Sequence, residues 1–304
     1  LDGVLLLHKP SGMTSHACVN RVRKLFGTKK VGHTGTLDPD VSGVLPICIG
    51  KATKIAQYLT AAHKTYIAEV TIGASTTTED ASGEIIDVKK VENSLSTDQI
   101  QQVLKQMTGE LEQTPPMFSA VKVNGKKLYE YAREGKQVER PTRKVFIYDL
   151  LLISDITKHE NTAAFKIKVK CSKGTYIRTL AVMIGDELGY PAHMSHLVRT
   201  HSGNFSLENC IDFQSIEQYL QEGHFPKGFM TIREALKHLP QWSINDTLAG
   251  KVKNGALLKL PKELENIKTS ERIVVLHRGE PLAIYMKHPN NKGVIKPEKV
   301  LETK

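Results

Sequence analysis

Apolar residues in this 304-residue chain recur with two periods, helical and extended, and the segments that carry them alternate without a βαβ nucleotide fingerprint. That alternation points to an α+β fold with a mixed sheet. The run GVLLL at residues 3–7 reads as a buried strand. After Lys9-Pro10-Ser11-Gly12, residues 14–26 place Cys18, Val22 and Leu25 at helical spacing, with Thr14 or Ser15 as N-cap and Gly27 as the stop. Residues 32–43, dense in Gly, Asp, Thr and Pro, form an ordered loop ahead of a short apolar strand at 44–49. A helix is expected over 51–61, then a strand over 65–72 with Tyr66, Ala68, Val70 and Ile72 on one face. Ser96-Thr97-Asp98-Gln99 is a capping box ahead of Ile100, Val103, Leu104 and Met107, with Gly109 ending that helix. A strand over 165–169 runs into Lys173-Gly174, and residues 176–188 read as a helix through Leu180, Met183, Ile184 and Leu188.

Charge narrows the partners. The net charge of +10 favours a polyanion, either nucleic acid or an acidic membrane surface. Residues 122–144 concentrate it, with Lys122, Lys126, Lys127, Arg133, Lys136, Arg140, Arg143 and Lys144 against Glu130, Glu134 and Glu139. Asn124-Gly125 is a hairpin signal within that stretch, and Tyr129 and Tyr131 lie among the charges. The segment reads either as a basic arm that grips an RNA backbone or as an ordinary solvated hairpin and helix. Composition shifts again at 223–228. The remainder, with Trp242, a short helix at 247–252 and strands at 272–276 and 281–286 joined by Arg278-Gly279, reads as a small β-rich second domain. No apolar run reaches the length of a membrane span, so a cytoplasmic protein is expected.

Several chemistries lack an anchor here. Cys18, Cys48, Cys171 and Cys210 form no C-x-x-C pair and read as small buried residues. The pattern running from Gly27 to Thr34 resembles a phosphate loop, but His33 stands where the lysine belongs and a helix, not a strand, precedes it. His193 and His196 have no nearby Glu, Asp or Cys to complete a metal shell, and no G-x-S-x-G elbow occurs. What remains is GHTGTLDPDVSGVLP at 32–46, where a carboxylate stands between a glycine-rich turn and a proline. Pro39 biases Asp38 towards extended backbone, which fixes the direction of its side chain. From spacing alone, Asp38 or Asp40 reads equally as a turn-stabilising residue.

That stretch resembles the active-site signature of the TruB family of tRNA pseudouridine synthases. Three further stretches resemble family motifs in the same order: LLLHKPSGMTS at 5–15, Lys64-Thr65-Tyr66, and CSKGTYIRTL at 171–180. Val41-Ser42 departs conservatively from the Ala-Thr more often found there. The resemblance implies a mixed, largely antiparallel sheet with flanking helices over residues 1–230, including a basic RNA-gripping insertion at about 114–145. It also implies a PUA-like RNA-binding domain over 231–304.

Further implications concern chemistry: uridine becomes pseudouridine in the tRNA T loop, at conventional position 55, on a flipped-out base. Asp38 is then the nucleophile, Tyr66 packs on the base and serves in proton removal, and Arg178 pairs with Asp38. His33, Tyr176 and Leu197 line the base pocket, His33 filling the space that the turned-out uridine leaves in the RNA. Lys9 and Lys64 are expected as phosphate or pocket contacts, and Asp80 as a weaker candidate near the site. The reaction consumes neither oxidant nor water, so no cofactor or metal is expected. The expected partner is the T arm and T loop of tRNA, met by a monomer. A non-catalytic RNA-binding or RNA-folding protein is the competing class, and the same chemistry on another RNA is a third reading.

Overall fold

The structure is a computed structural model that describes residues 1–60, 63–92 and 95–302. The first apolar run forms β1 (Gly3–Lys9), and Thr14, whose side chain accepts from the Ala17 amide, caps α1 (Ser15–Leu25). Short β2 (Val31–His33) and longer β3 (Ser42–Ile49) enclose the glycine-rich loop. Over 51–61 the expected helix is instead a 3-10 turn at Gly50–Ile55 followed by α2 (Ala56–Thr60). The Thr53 hydroxyl donates to the Gly50 carbonyl at 2.7 Å and competes there with a regular helical ladder. Ala61, the last residue of that expectation, lies outside the described residues.

β4 (Lys64–Ile72) alternates as expected, and a small hairpin of β5 (Ala74–Thr76) and β6 (Ile85–Val88) follows. Ser96 and Gln99 form the full capping box of α3 (Thr97–Gln106). Gly109 does not end that helix. It opens β7 (Gly109–Gln113), Met107 being the C-cap. In the basic insertion, β8 (Lys122–Val123) and β9 (Lys126–Lys127) turn through Asn124 and Gly125, both at positive φ, ahead of α4 (Leu128–Arg133). Then come β10 (Arg143–Leu152), β11 (Thr157–Lys158), β12 (Ala163–Cys171), α5 (Ile177–Leu188) and β13 (Ala192–Ser202).

The main sheet runs in the order Phe229–Met230, β1, β3, β13, β4, β12, β10, β7. Every pair along it is antiparallel except β3 with β13, so the sheet is mixed and largely antiparallel. The parallel contact sets Gly43 beside Arg199. Gly43 adopts φ +118°, and a Cβ there would meet the Arg199 carbonyl oxygen at 2.2 Å, so the position requires glycine. Helices α3 and α5 cover one face, burying Val103, Leu104, Leu180 and Ile184 on Ala68, Val70, Phe165 and Ile167. α1 packs Cys18, Val19 and Val22 on Leu5, Leu45 and Ile47.

A separate five-stranded sheet is built from Gln241–Ile244, Leu258–Lys259, Arg272–His277, Glu280–Lys287 and Val294–Val300. Arg278 and Gly279, both at positive φ, make its expected turn. One face of this sheet packs its own core of Ile273, Val275, Tyr285 and Ile295. From the other, Val274, Leu276 and Ile284 join Val4, Leu6, Val44 and Ile55 of the first unit. The chain crosses between the sheets after Met230, which still pairs with β1, and before Gln241.

Candidate active site

The loop at residues 34–41 has few hydrogen bonds of its own, so its carbonyls must be met by donors from elsewhere. Lys9, fully buried on β1, donates from Nζ to the carbonyls of Pro39 at 2.9 Å, Val41 at 2.6 Å and Pro10 at 2.8 Å. Ser15 at the start of α1 meets both backbone groups of Leu37, Oγ donating to its carbonyl at 3.0 Å and accepting from its amide at 2.9 Å. From β13, Arg199 donates to Val44 at 2.8 Å, to Gly35 at 3.1 Å and to Thr36 at 3.4 Å. Ser11 holds the Asp40 carbonyl at 3.0 Å. Asp38 stands between these anchors, with its side chain accessible to solvent.

Its carboxylate meets Arg178, whose Nη2 lies 2.9 Å from Oδ2. Arg178 is only 5% exposed against 44% for Asp38, so the cation is the fixed partner. The rest of the guanidinium is occupied: Nη1 donates to the Thr78 carbonyl and Nη2 to that of Phe118, each at 3.0 Å. Asp80 lies 3.6 Å from Nη1, and its other oxygen accepts from Thr78 and Ser82, so it is both a second carboxylate on Arg178 and a turn residue. Because Phe118 belongs to the basic insertion, Arg178 ties that insertion to the nucleophile loop.

A cavity of about 310 Å³ opens beside Asp38, with Leu37, Tyr66, Tyr176, Leu197 and Arg178 among its walls. β4 and β13 supply Tyr66 and Leu197, both buried. Burial pushes the Tyr66 phenol above its ordinary range, and the nearby Arg199 pulls the other way. Tyr176 is the N-cap residue of α5. The buried Gln113 holds it through both backbone groups, accepting from its amide at 3.0 Å and donating to its carbonyl at 3.1 Å, while the Arg143 guanidinium stacks 4.7 Å from its ring centroid. Lys64 also lines the cavity. Burial, then Arg199, pull its ammonium down to about 8.

Two expected contacts stand elsewhere. Lys9 cannot meet a phosphate or the pocket, since its ammonium is buried and holds three carbonyls of the chain itself. His33 is half-buried on β2 outside the cavity wall, its Nδ1 accepting from the Gly35 amide at 3.3 Å. Burial, then the charges of Arg199 and His16, lower its pKa. Arg199 and Gln113 were not singled out by their spacing, because these partners lie 63 to 164 residues away, and Ser15 stood out only as a cap candidate for α1. His193 donates from Nδ1 to the Ala74 carbonyl at 2.7 Å, which fixes the proton on that nitrogen. Cys18, Cys48 and Cys171 are buried as expected, whereas Cys210 is only half-buried.

The family model for TruB family pseudouridylate synthase, N-terminal domain, matches residues 23–177, and that for the tRNA pseudouridylate synthase B C-terminal domain matches residues 178–239. The chain is 57% identical over 305 residues to tRNA pseudouridine synthase B of Bacillus subtilis (strain 168), covering 100% of this chain and 99% of the relative. It is 56% identical over 301 residues to that of Geobacillus thermodenitrificans (strain NG80-2), covering 99% of each. Among solved structures, a Cbf5-Nop10-Gar1 complex aligns with a TM-score of 0.72 at 30% identity, over 99% of this chain and 85% of the other. The chain belongs to the TruB family of pseudouridylate synthases.

Proposed function

We propose that this isomerase converts the uridine at conventional position 55 of the tRNA T loop to pseudouridine, with Asp38 as nucleophile on a flipped-out base. The observation that carries the reading is the Asp38 carboxylate, held 2.9 Å from a buried arginine beside a cavity lined by Tyr66, Tyr176 and Leu197. Isomerisation breaks the bond between C1′ and N1, turns the base, and forms the bond between C1′ and C5. N1 gains a proton and C5 loses one. Asp38 supplies the transient covalent partner, at the base or at the sugar, and Arg178 keeps it ionised and aimed. Tyr66 and Leu197 provide apolar surface for the ring. The Tyr66 phenol serves as a relay, its oxygen accepting the proton from C5 while its own proton passes to solvent water entering the cavity, so that the phenol is unchanged overall. The flat, polar His33 ring suits the stacking place left by the displaced base. Lys64, one of several cations lining the pocket, serves as a phosphate or pocket contact.

Residues 1–230 serve as the catalytic domain and 231–304 as a PUA-like RNA-binding domain, with the insertion at about 114–145 gripping the T arm. No described helix is long and apolar enough to cross a membrane, and the reading places a monomer in the cytoplasm. Release of tritium from tRNA transcribed with 5-tritiated uridine tests the reaction, because the C5 hydrogen must leave. The expected result is one equivalent released per tRNA. Tight tRNA binding without release would replace this reading with that of a non-catalytic RNA-binding protein.

A further inference from the structure

The outer face of the main sheet, opposite α3 and α5, is uncovered over β10 and β12, and it is not an ordinary solvated face. Phe146, Tyr148, Leu151 and Ile153 expose 43 to 51% of their surface along β10 and its continuation. Four large apolar side chains on one strand are more than scattered exposure accounts for. The Phe146 and Tyr148 rings lie 5.0 Å apart, and the His63 ring stands edge-on to Tyr148 at 6.5 Å. Next to them β12 presents Lys166, Lys168 and Lys170 on the same side, in register with Leu151 for Lys168 and Asp149 for Lys170. None of these three lysines forms an ion pair with a described residue. The acids beside them are Asp149 and Glu69, and the Glu69 carboxylate already accepts from Ser195 at 2.8 Å.

The patch continues from the rim of the pocket. Phe146 exchanges hydrogen bonds with Ser172, a pocket-lining residue, its amide donating to Oγ at 2.9 Å and its carbonyl accepting from the Ser172 amide at 2.8 Å. Arg143, three residues earlier on β10, lines the pocket as well, and His63 precedes Lys64 of the pocket wall. Exposed rings with unpaired lysines alongside match the requirements of a nucleic-acid strand, bases on the rings and phosphates on the ammonium groups. We infer that this face is a second RNA-contact surface, on which the strand leading away from the target uridine stacks on Tyr148 and Phe146 and sets its phosphates on Lys168 and Lys170. The inference rests on the RNA-modifying reading above and extends it to nucleotides outside the pocket.

The test is the affinity of the full chain for an unmodified tRNA transcript across a salt series, for the unaltered protein, Tyr148→Ser, and the double variant Lys168→Glu with Lys170→Glu. Melting of each variant checks the fold, and all three positions are exposed. Loss of one stacked base weakens binding by on the order of 5- to 100-fold. Loss of two phosphate contacts lowers the slope of log affinity against log salt by about two. Turnover at saturating tRNA stays unchanged, since none of these residues lines the pocket. Affinities within twofold of the unaltered protein, with the same salt slope, overturn the proposal. So does an unaltered protein that sediments as a dimer, a charge-reversed variant that sediments as a monomer, and equal tRNA affinity in both, because the face is then an interface between copies. Affinity is read without turnover, so failure of the catalytic reading leaves this result interpretable.

Discussion

Replacing Arg199 by methionine tests the scaffold of the nucleophile loop, at a residue that also faces Tyr66 and Lys64 in the pocket. Arg199 is 1% exposed and touches neither Asp38 nor Arg178 among its hydrogen bonds, which go to Val44, Gly35 and Thr36. Methionine fills much of the same space but donates nothing. The 3.4 Å contact to Thr36 is long, so two carbonyls count as orphaned, those of Val44 and Gly35. An unsatisfied buried acceptor costs roughly 1–3 kcal/mol, which sets the loss of stability at about 3–4 kcal/mol. For a chain of 304 residues each kcal/mol lowers the melting temperature by about 1.6 °C, so a fall of about 5–6 °C is expected. Thermal melting in parallel with single-turnover pseudouridine formation gives the readout. Turnover falls too, because Gly35 and Thr36 no longer fix the approach to Asp38, whereas Asp38→Asn abolishes turnover and melts like the unaltered protein. A melting temperature within 2 °C of the unaltered protein for Arg199→Met refutes the scaffold argument.

The pH dependence of tRNA binding carries a Lys64 signature, since its ammonium titrates near 8. Affinity falls as pH rises through that value, Lys64→Gln removes the step, and a profile that Lys64→Gln leaves unaltered removes Lys64 from the contact. Stability moves the opposite way: the lowered pKa means that the unfolded chain holds the proton more tightly, so stability rises with pH between about 8 and 10.5. In the insertion, Arg143→Ala weakens tRNA binding and turnover together, because Arg143 stacks on Tyr176. Lys144→Ala changes binding by less than about threefold, since its exposed partner Glu110 already screens it. Equal effects of the two variants in a binding assay contradict that ranking.

What was legible in the sequence were features whose cause is local. Thr14, the Ser96–Gln99 box and the Asn124-Gly125 and Arg278-Gly279 turns act within a few residues, and all appear where their chemistry puts them. Alternation likewise set Tyr66 on the buried face of β4. Lys9 shows the limit: the resemblance implies a phosphate or pocket contact, and only a fold that brings Pro39 and Val41 to its ammonium makes it a brace. Arg199 and Gln113 are hidden for the same reason, each meeting partners at least 63 residues away. The parallel seam between β3 and β13 is equally non-local, although Gly43 is its mark. Phe229–Met230 returns to pair with Leu5 and Val4 of β1, and the Leu6 amide donates to Gly228, an association across more than 220 residues that composition alone does not record.

The central claim, that Asp38 is the nucleophile acting on one T-loop uridine, is tested most directly by mapping pseudouridine in an unmodified tRNA transcript. Base-specific chemical marking and primer extension are applied after incubation with the unaltered protein or with Asp38→Asn, and tRNA affinity is measured for both. The account predicts a single signal at position 55 with the unaltered protein, none with Asp38→Asn, and nearly equal affinities, because one carboxylate adds no phosphate contact. A signal that persists in Asp38→Asn, or none from the unaltered protein despite tight binding, contradicts it.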